Sequence, residues 1–248
     1  MRLMKLCRFA VITATVVAFG QSRSFAEETG WTETYNHLLK QYVTPGGVKY
    51  AEWKKNSADM QAIGAVVDSI SKESLSSRGE KERLAFYINA YNAWILHGAL
   101  AKYPTKSVKD TFFRFFTANN IKVAGEQMSF NHLEKDVIRG KFSDPHVHFA
   151  LNCASRSCPP LMPEAFTGDK VDAQMEKLAV AFINSEKGVT YNESAKTAQL
   201  SKIFDWYKND FAKDGGALEF INKRRSTPIP KDAKITYQDY NWSLNDAK

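Results

Sequence analysis

Apolar positions recur along this chain mostly at helical spacing. Between Glu80 and Lys102, Leu84, Ile88, Tyr91 and Ile95 follow one another at steps of three and four, and Phe86, Ala90 and Trp94 carry the apolar surface round the cylinder. A helix apolar on nearly all sides is a buried one, so residues 80–102 are predicted as the central element. Ser77 and Glu80 stand at capping-box spacing before it. One-sided patterns predict further helices over residues 31–42, 57–71, 131–139, 171–185, 202–212 and 216–224. The 202–212 helix rests on Leu200, Ile203, Phe204, Tyr207 and Phe211, with Asp205 and Asp210 on its solvated side.

Strand patterns are shorter. Val43 to Tyr50 reads as strand, turn, strand, because Pro45 presets φ and the following glycines allow positive φ. Residues 121–128 read as a second hairpin around Gly125, and 235–240 as a last strand. The apolar run ending at Asn152-Cys153 reads as a buried strand. On it His146, His148, Ala150 and Asn152 face one way, and Val147, Phe149, Leu151 and Cys153 the other. Strands mixed irregularly with helices argue for α+β rather than a doubly wound sheet. The expectation is a single domain of mixed antiparallel strands packed on a buried central helix.

The first 26 residues stand apart from this pattern. Arg2, Lys5 and Arg8 precede a short apolar run, and Ser24-Phe25-Ala26 supplies small residues where an export peptidase reads. That is the order of a signal peptide, and the run is too short for a membrane span. The mature domain is expected to cover residues 27–248 and to be soluble and exported, periplasmic or secreted. Removing the leader changes the charge: four of the 34 basic residues leave with it, and 30 remain against 27 acids. Such a balance, with no long basic block, does not suit a nucleic-acid binder.

Candidate chemistry concentrates between Asp144 and Leu161. Cys153 and Cys158 are the thiols that remain after export, and an oxidising compartment favours a disulfide between them. The alternative is a thiol hydrolase or acyl transferase with Cys153 as nucleophile and His148 as first-choice base, His132 and His97 being other bases. Glu134 could orient a histidine, but Asn131 and Glu134 also have capping-box spacing. Asn89 and Asn92 share a face of the central helix and must be hydrogen-bonded if buried. With Asn152 and Arg156 they are candidates to line a cleft for a small molecule or peptide, the arginine by its planar fork. The segment 112–116 is either core or an apolar lip over a pocket. No phosphate loop, His-x-x-x-His pair or Gly-x-Ser-x-Gly elbow occurs, and neither a metal nor a cofactor is implied.

Five segments taken in order carry a family resemblance. They are Phe86 to Ala93, Leu133-Glu134, His148 to Leu161, Leu200 to Phe211 and Tyr240 to Asn245. Together they resemble the domain of unknown function 547 family, over about Trp31 to Asn245. The family's pattern often has an acid where this chain has Asn241. The resemblance implies a shared fold and supplies no activity.

Overall fold

The computed structural model describes residues 23–109 and 116–247. At its centre lies α4 (Glu80–Lys102), in which Leu84, Phe86, Ile88, Tyr91, Ile95 and Leu100 are all buried. Its start is set two residues later than the spacing of Ser77 and Glu80 suggests. Gly79 is the N-cap, and its N–H donates to Glu82 Oε2 at 2.6 Å. The helix ends because Tyr103 precedes Pro104 and is held in the extended region.

Around α4 pack α1 (Arg23–Tyr42), α2 (Tyr50–Lys55) and α3 (Ser57–Lys72). Asn56 caps α3 by accepting from the N–H groups of Ala58 and Asp59. The hairpin of β1 (Val43–Thr44) and β2 (Gly47–Val48) leads from α1 to α2, as the Pro-Gly-Gly turn predicts. A second hairpin, β3 (Ile121–Val123) and β4 (Glu126–Met128), turns through Ala124 and Gly125, both at positive φ. It is tied to the end of α3 by Ala124 N–H to Ile70 O and Gly125 N–H to Ser71 O.

The next helix, α5, covers 130–142 as Phe130–His132, a π-helical stretch Leu133–Arg139 and Gly140–Phe142. Its cap is Ser129, whose hydroxyl accepts from His132 N–H, so Glu134 is released from the capping role its spacing suggested. After it comes the main correction to the predicted elements. The apolar run is a short helix, α6 (Val147–Ala150), and only from Leu151 is the chain extended. Asp144 Oδ1 accepts from His146 N–H at 2.9 Å and Pro145 opens the turn, the pairing that starts helices. The strand alternation of His146 to Cys153 therefore does not exist.

The C-terminal half adds α7 (Val171–Ile183), α8 (Ile203–Trp206) and α9 (Ala217–Asn222). The helix predicted over 202–212 is broken after Trp206, and that break rotates Asp210 from solvent toward the protein. A three-stranded sheet of β5 (Val189–Asn192), β6 (Thr197–Leu200) and β7 (Lys234–Tyr237) completes the α+β fold. Here β5 and β6 run antiparallel, and β7 joins β6 in parallel. The hairpin of β5 and β6 was not predicted. One continuous core runs from Trp31 to Leu244. No helix among the described residues is long and apolar enough to cross a membrane.

The last described residues, 241–247, lie along the cysteine loop and β2. Arg156 N–H donates to Ser243 O, Asn245 N–H to Ala154 O, and Val48 N–H to Asn245 O. Gly47 lets this segment approach: a Cβ there would stand 2.0 Å from Asn245 O. Two segments far apart in sequence, the Asn-Cys loop and the Trp-Ser-Leu-Asn ending, are thus one structural unit.

Candidate functional site

Cys153 and Cys158 are joined in a disulfide, which closes the loop that Asn152 starts. Asn152 fixes that loop from inside. Its Oδ1 accepts from Ala154 N–H, which stabilises Ala154 at a φ of 61°, and its Nδ2 donates to Pro159 O at 2.7 Å. The loop forms one wall of a cleft of about 380 Å³. The lining is rich in aromatic residues, with Tyr91, Phe116, Trp206, Tyr207, Tyr240 and Trp242 around Glu134, His148 and both cysteines. Residues 112–115 of the predicted apolar lip lie outside the described residues, and Phe116 packs edge-on against Phe130.

The π-helical turn explains how Glu134 and Arg139 reach one neighbour. Hydrogen bonds closed over five residues bring side chains five apart onto one face. Both accordingly meet Tyr207: Glu134 Oε1 accepts from its hydroxyl at 2.7 Å, and the Arg139 guanidinium lies 4.8 Å from its ring centre. His148 stacks on the same ring at 3.9 Å. Its Nε2 lies 2.8 Å from Asp210 Oδ2, and Arg139 binds Asp210 through two nitrogens at 2.7 and 3.0 Å. The hydrogen bond with His148 is the main cause that holds the Asp210 carboxyl well below the usual range, and Arg139 adds to it against the opposing effect of burial.

Tyr240 closes the other side. Its hydroxyl is 3.0 Å from Ser155 Oγ and 3.3 Å from Cys158 Sγ. Burial pushes its phenol up to about 12. Burial, reinforced by the charge of Glu134, also raises Tyr91 and Tyr207. All three remain protonated at neutral pH, so the described lining offers phenol hydroxyls and the carboxylate of Glu134 among aromatic rings.

The four residues predicted to line a ligand cleft are placed differently. Asn89 donates to Phe166 O and accepts from Phe166 N–H, and Asn92 clamps Ala150 O and Asn152 N–H in the same way. Both are buried and both lie outside the lining of the large cleft. Arg156 donates to Asp246 O. With Asn152 it borders a separate recess of about 30 Å³, room for little more than a water molecule. Glu134, His148 and Cys153 do line the large cleft. Asp210 and Tyr207, which helix periodicity reads as surface and core, take part in the site, as do Trp206 and Tyr240, for which the sequence reading gives no site role. Of the other histidines, His132 pairs with Asp136 on the surface, and His97 packs on Trp94.

His146 belongs to a separate charge cluster. Its Nδ1 hydrogen-bonds Asp144 and its Nε2 lies 2.9 Å from Glu176, while Arg224 Nη2 approaches that same Nε2 at 2.6 Å. Burial works against the imidazolium and so does Arg224, but the hydrogen bond and charge of Asp144 with the charge of Glu176 outweigh them and raise its pKa. A raised folded-state pKa contributes stability that is complete below the ordinary value of about 6.5 and is lost as pH rises through the folded value. The gap in Tm between the wild type and His146→Gln should therefore narrow as pH is raised from about 5.5 to about 8. A gap constant with pH would contradict this assignment.

Residues 75–183 match the family model described as "Protein of unknown function, DUF547". The match supports the resemblance over the stretch that holds α4, α5 and the cysteine loop, and it stops before Tyr207, Asp210 and Tyr240. No curated protein matches the chain, and no solved structure does.

Proposed function

We propose that this chain is an exported binding domain that holds a small molecule, or the side chain of a peptide, in the aromatic cleft beside the Cys153–Cys158 disulfide. One observation carries the reading. A concave, mainly apolar space of about 380 Å³, rich in aromatic rings, contains a few fixed polar groups, the combination typical of ligand sites. The disulfide stiffens the wall, and the Glu134–Tyr207–His148–Asp210–Arg139 chain holds the facing one, so the space is preformed. Export is supported by the composition of the first 26 residues and by a disulfide in a chain with so few cysteines.

Ligand-observed NMR against a mixed fragment set tests the reading. Binders should be found whose signals recover in Trp206→Ala, since Trp206 lines the cleft yet is 47% exposed and can be truncated without opening the core. Binding unaffected by that substitution, or no binders at all, would remove the cleft as the site.

A second reading is favoured by the placement of His148. It lines the cleft with Cys153 and is oriented by Asp210, as the base of a thiol enzyme would be. On this reading Cys153 is kept as a free thiol in place of the disulfide and acts as the nucleophile. Fast single-site alkylation of Cys153 in native, unreduced protein, with esterase or acyl-transfer activity lost in step, would select this reading over the first.

A further inference from the structure

We infer that the cleft is built for a small organic cation, an alkylated ammonium group seated on the rings of Trp206, Tyr240 and Trp242 with Glu134 as its counter-charge. The inference rests on the cleft reading above and names its ligand class.

The three rings form a cluster, with centroids 4.8 Å apart for Trp206 and Tyr240, 4.5 Å for Tyr240 and Trp242, and 5.8 Å for the two tryptophans. Indole and phenol faces are electron-rich, and they attract ammonium groups most strongly where water is excluded. The face of Trp242 already receives one: Lys109 Nζ lies 4.9 Å from its centroid. Lys109 is exposed, so an internal ammonium from the rim occupies the position that a ligand cation would take.

Charge points the same way. Glu134 is the carboxylate among the described lining residues, and its Oε1 is held by the Tyr207 hydroxyl. A neutral ligand would cover that carboxylate without a counter-charge, which is costly. An anion would meet it directly; the nearby guanidinium of Arg139 is engaged by Asp210, and Lys109, the cation of the described lining, lies over the Trp242 ring. An ammonium ligand meets a complementary group on each side.

Choline and its uncharged isostere 3,3-dimethylbutan-1-ol, titrated into the full-length chain and followed by tryptophan fluorescence, provide the test. Choline should bind about fivefold tighter or better, within the range that cation–π contacts supply. Glu134→Gln should erase the preference and leave isostere binding in place. Lys109→Gln, a change at an exposed position, should tighten choline about threefold by vacating Trp242, with the isostere unaffected. Equal affinity of the two compounds for the wild type would overturn the cation inference and leave the cleft reading standing. Failure of both to bind would overturn the cation inference and leave the cleft reading to the fragment screen. The comparison within the wild type and the Lys109 variant decide the matter even if Glu134→Gln does not fold.

Discussion

Asn92→Leu should lower the free energy of unfolding by about 2–4 kcal/mol, because it orphans two buried backbone groups at once. Asn92 Nδ2 donates to Ala150 O at 2.8 Å, and its Oδ1 accepts from Asn152 N–H at 2.9 Å. These are the last residue of α6 and the residue before Cys153, so one amide joins the central helix to both halves of the cleft wall. Leucine fills similar space but returns neither bond, and no water can reach the site without opening it. Asn89→Leu should cost a similar amount through Phe166, whose N–H and C=O it leaves unpaired. The two should differ in function. Asn92→Leu loosens the joint between α6, which carries His148, and the cysteine loop and should weaken ligand binding in the folded fraction, whereas Asn89 anchors Phe166, which does not line the cleft, and Asn89→Leu should spare binding. Unfolding free energies from urea titration that fall by less than about 0.5 kcal/mol would place these amides with ordinary surface substitutions.

Periodicity read well where burial was extensive. The 80–102 helix emerged with its boundaries intact because Leu84, Ile88, Tyr91 and Ile95 bury one face while Phe86 and Ala90 extend the burial round the cylinder. It failed on short runs, for a physical reason. Four buried apolar residues suit a strand or one helical turn equally, and only the flanks decide. Here Asp144 and Pro145 are a helix start, and weight given to them over the apolar run would have placed α6 correctly. The same limit hid the site's polar half. Asp210 falls on the solvated side of an unbroken helix, but the chain leaves helical geometry at Tyr207, where φ is −111° and ψ is 23°. Glu134 was compatible with a cap until the structure put Ser129 there. No local pattern announces a π-helical turn, and without it Glu134 and Arg139 do not share a face. The asparagines were correctly expected to be buried and bonded. Their partners are backbone groups more than 50 residues away, which no sequence spacing encodes.

Phe149→Ala should be more damaging still, at about 3–5 kcal/mol, the usual cost of emptying a buried aromatic site. Phe149 is 1% exposed and stands at the meeting point of four other phenylalanine rings. It stacks on Phe220 with centroids 5.8 Å apart and contacts Phe182, Phe204 and Phe211 at 5.8, 6.0 and 6.4 Å. Those rings come from α7, α8, α9 and the turn between the last two, so several elements must move together to close the cavity, and rigid packing resists that. Phe149→Leu should cost distinctly less, since it keeps most of the apolar contact. The neighbouring His148 points into the cleft lining, while Phe149 belongs wholly to the core. Phe149→Ala should therefore reduce the folded population and leave the ligand affinity of the folded fraction close to wild type, the reverse of Trp206→Ala. Chemical denaturation with an unchanged slope and a large drop in midpoint is the expected result. A loss below about 1 kcal/mol would mean that the phenylalanine cluster collapses freely around the missing ring and does not fix α6 in place.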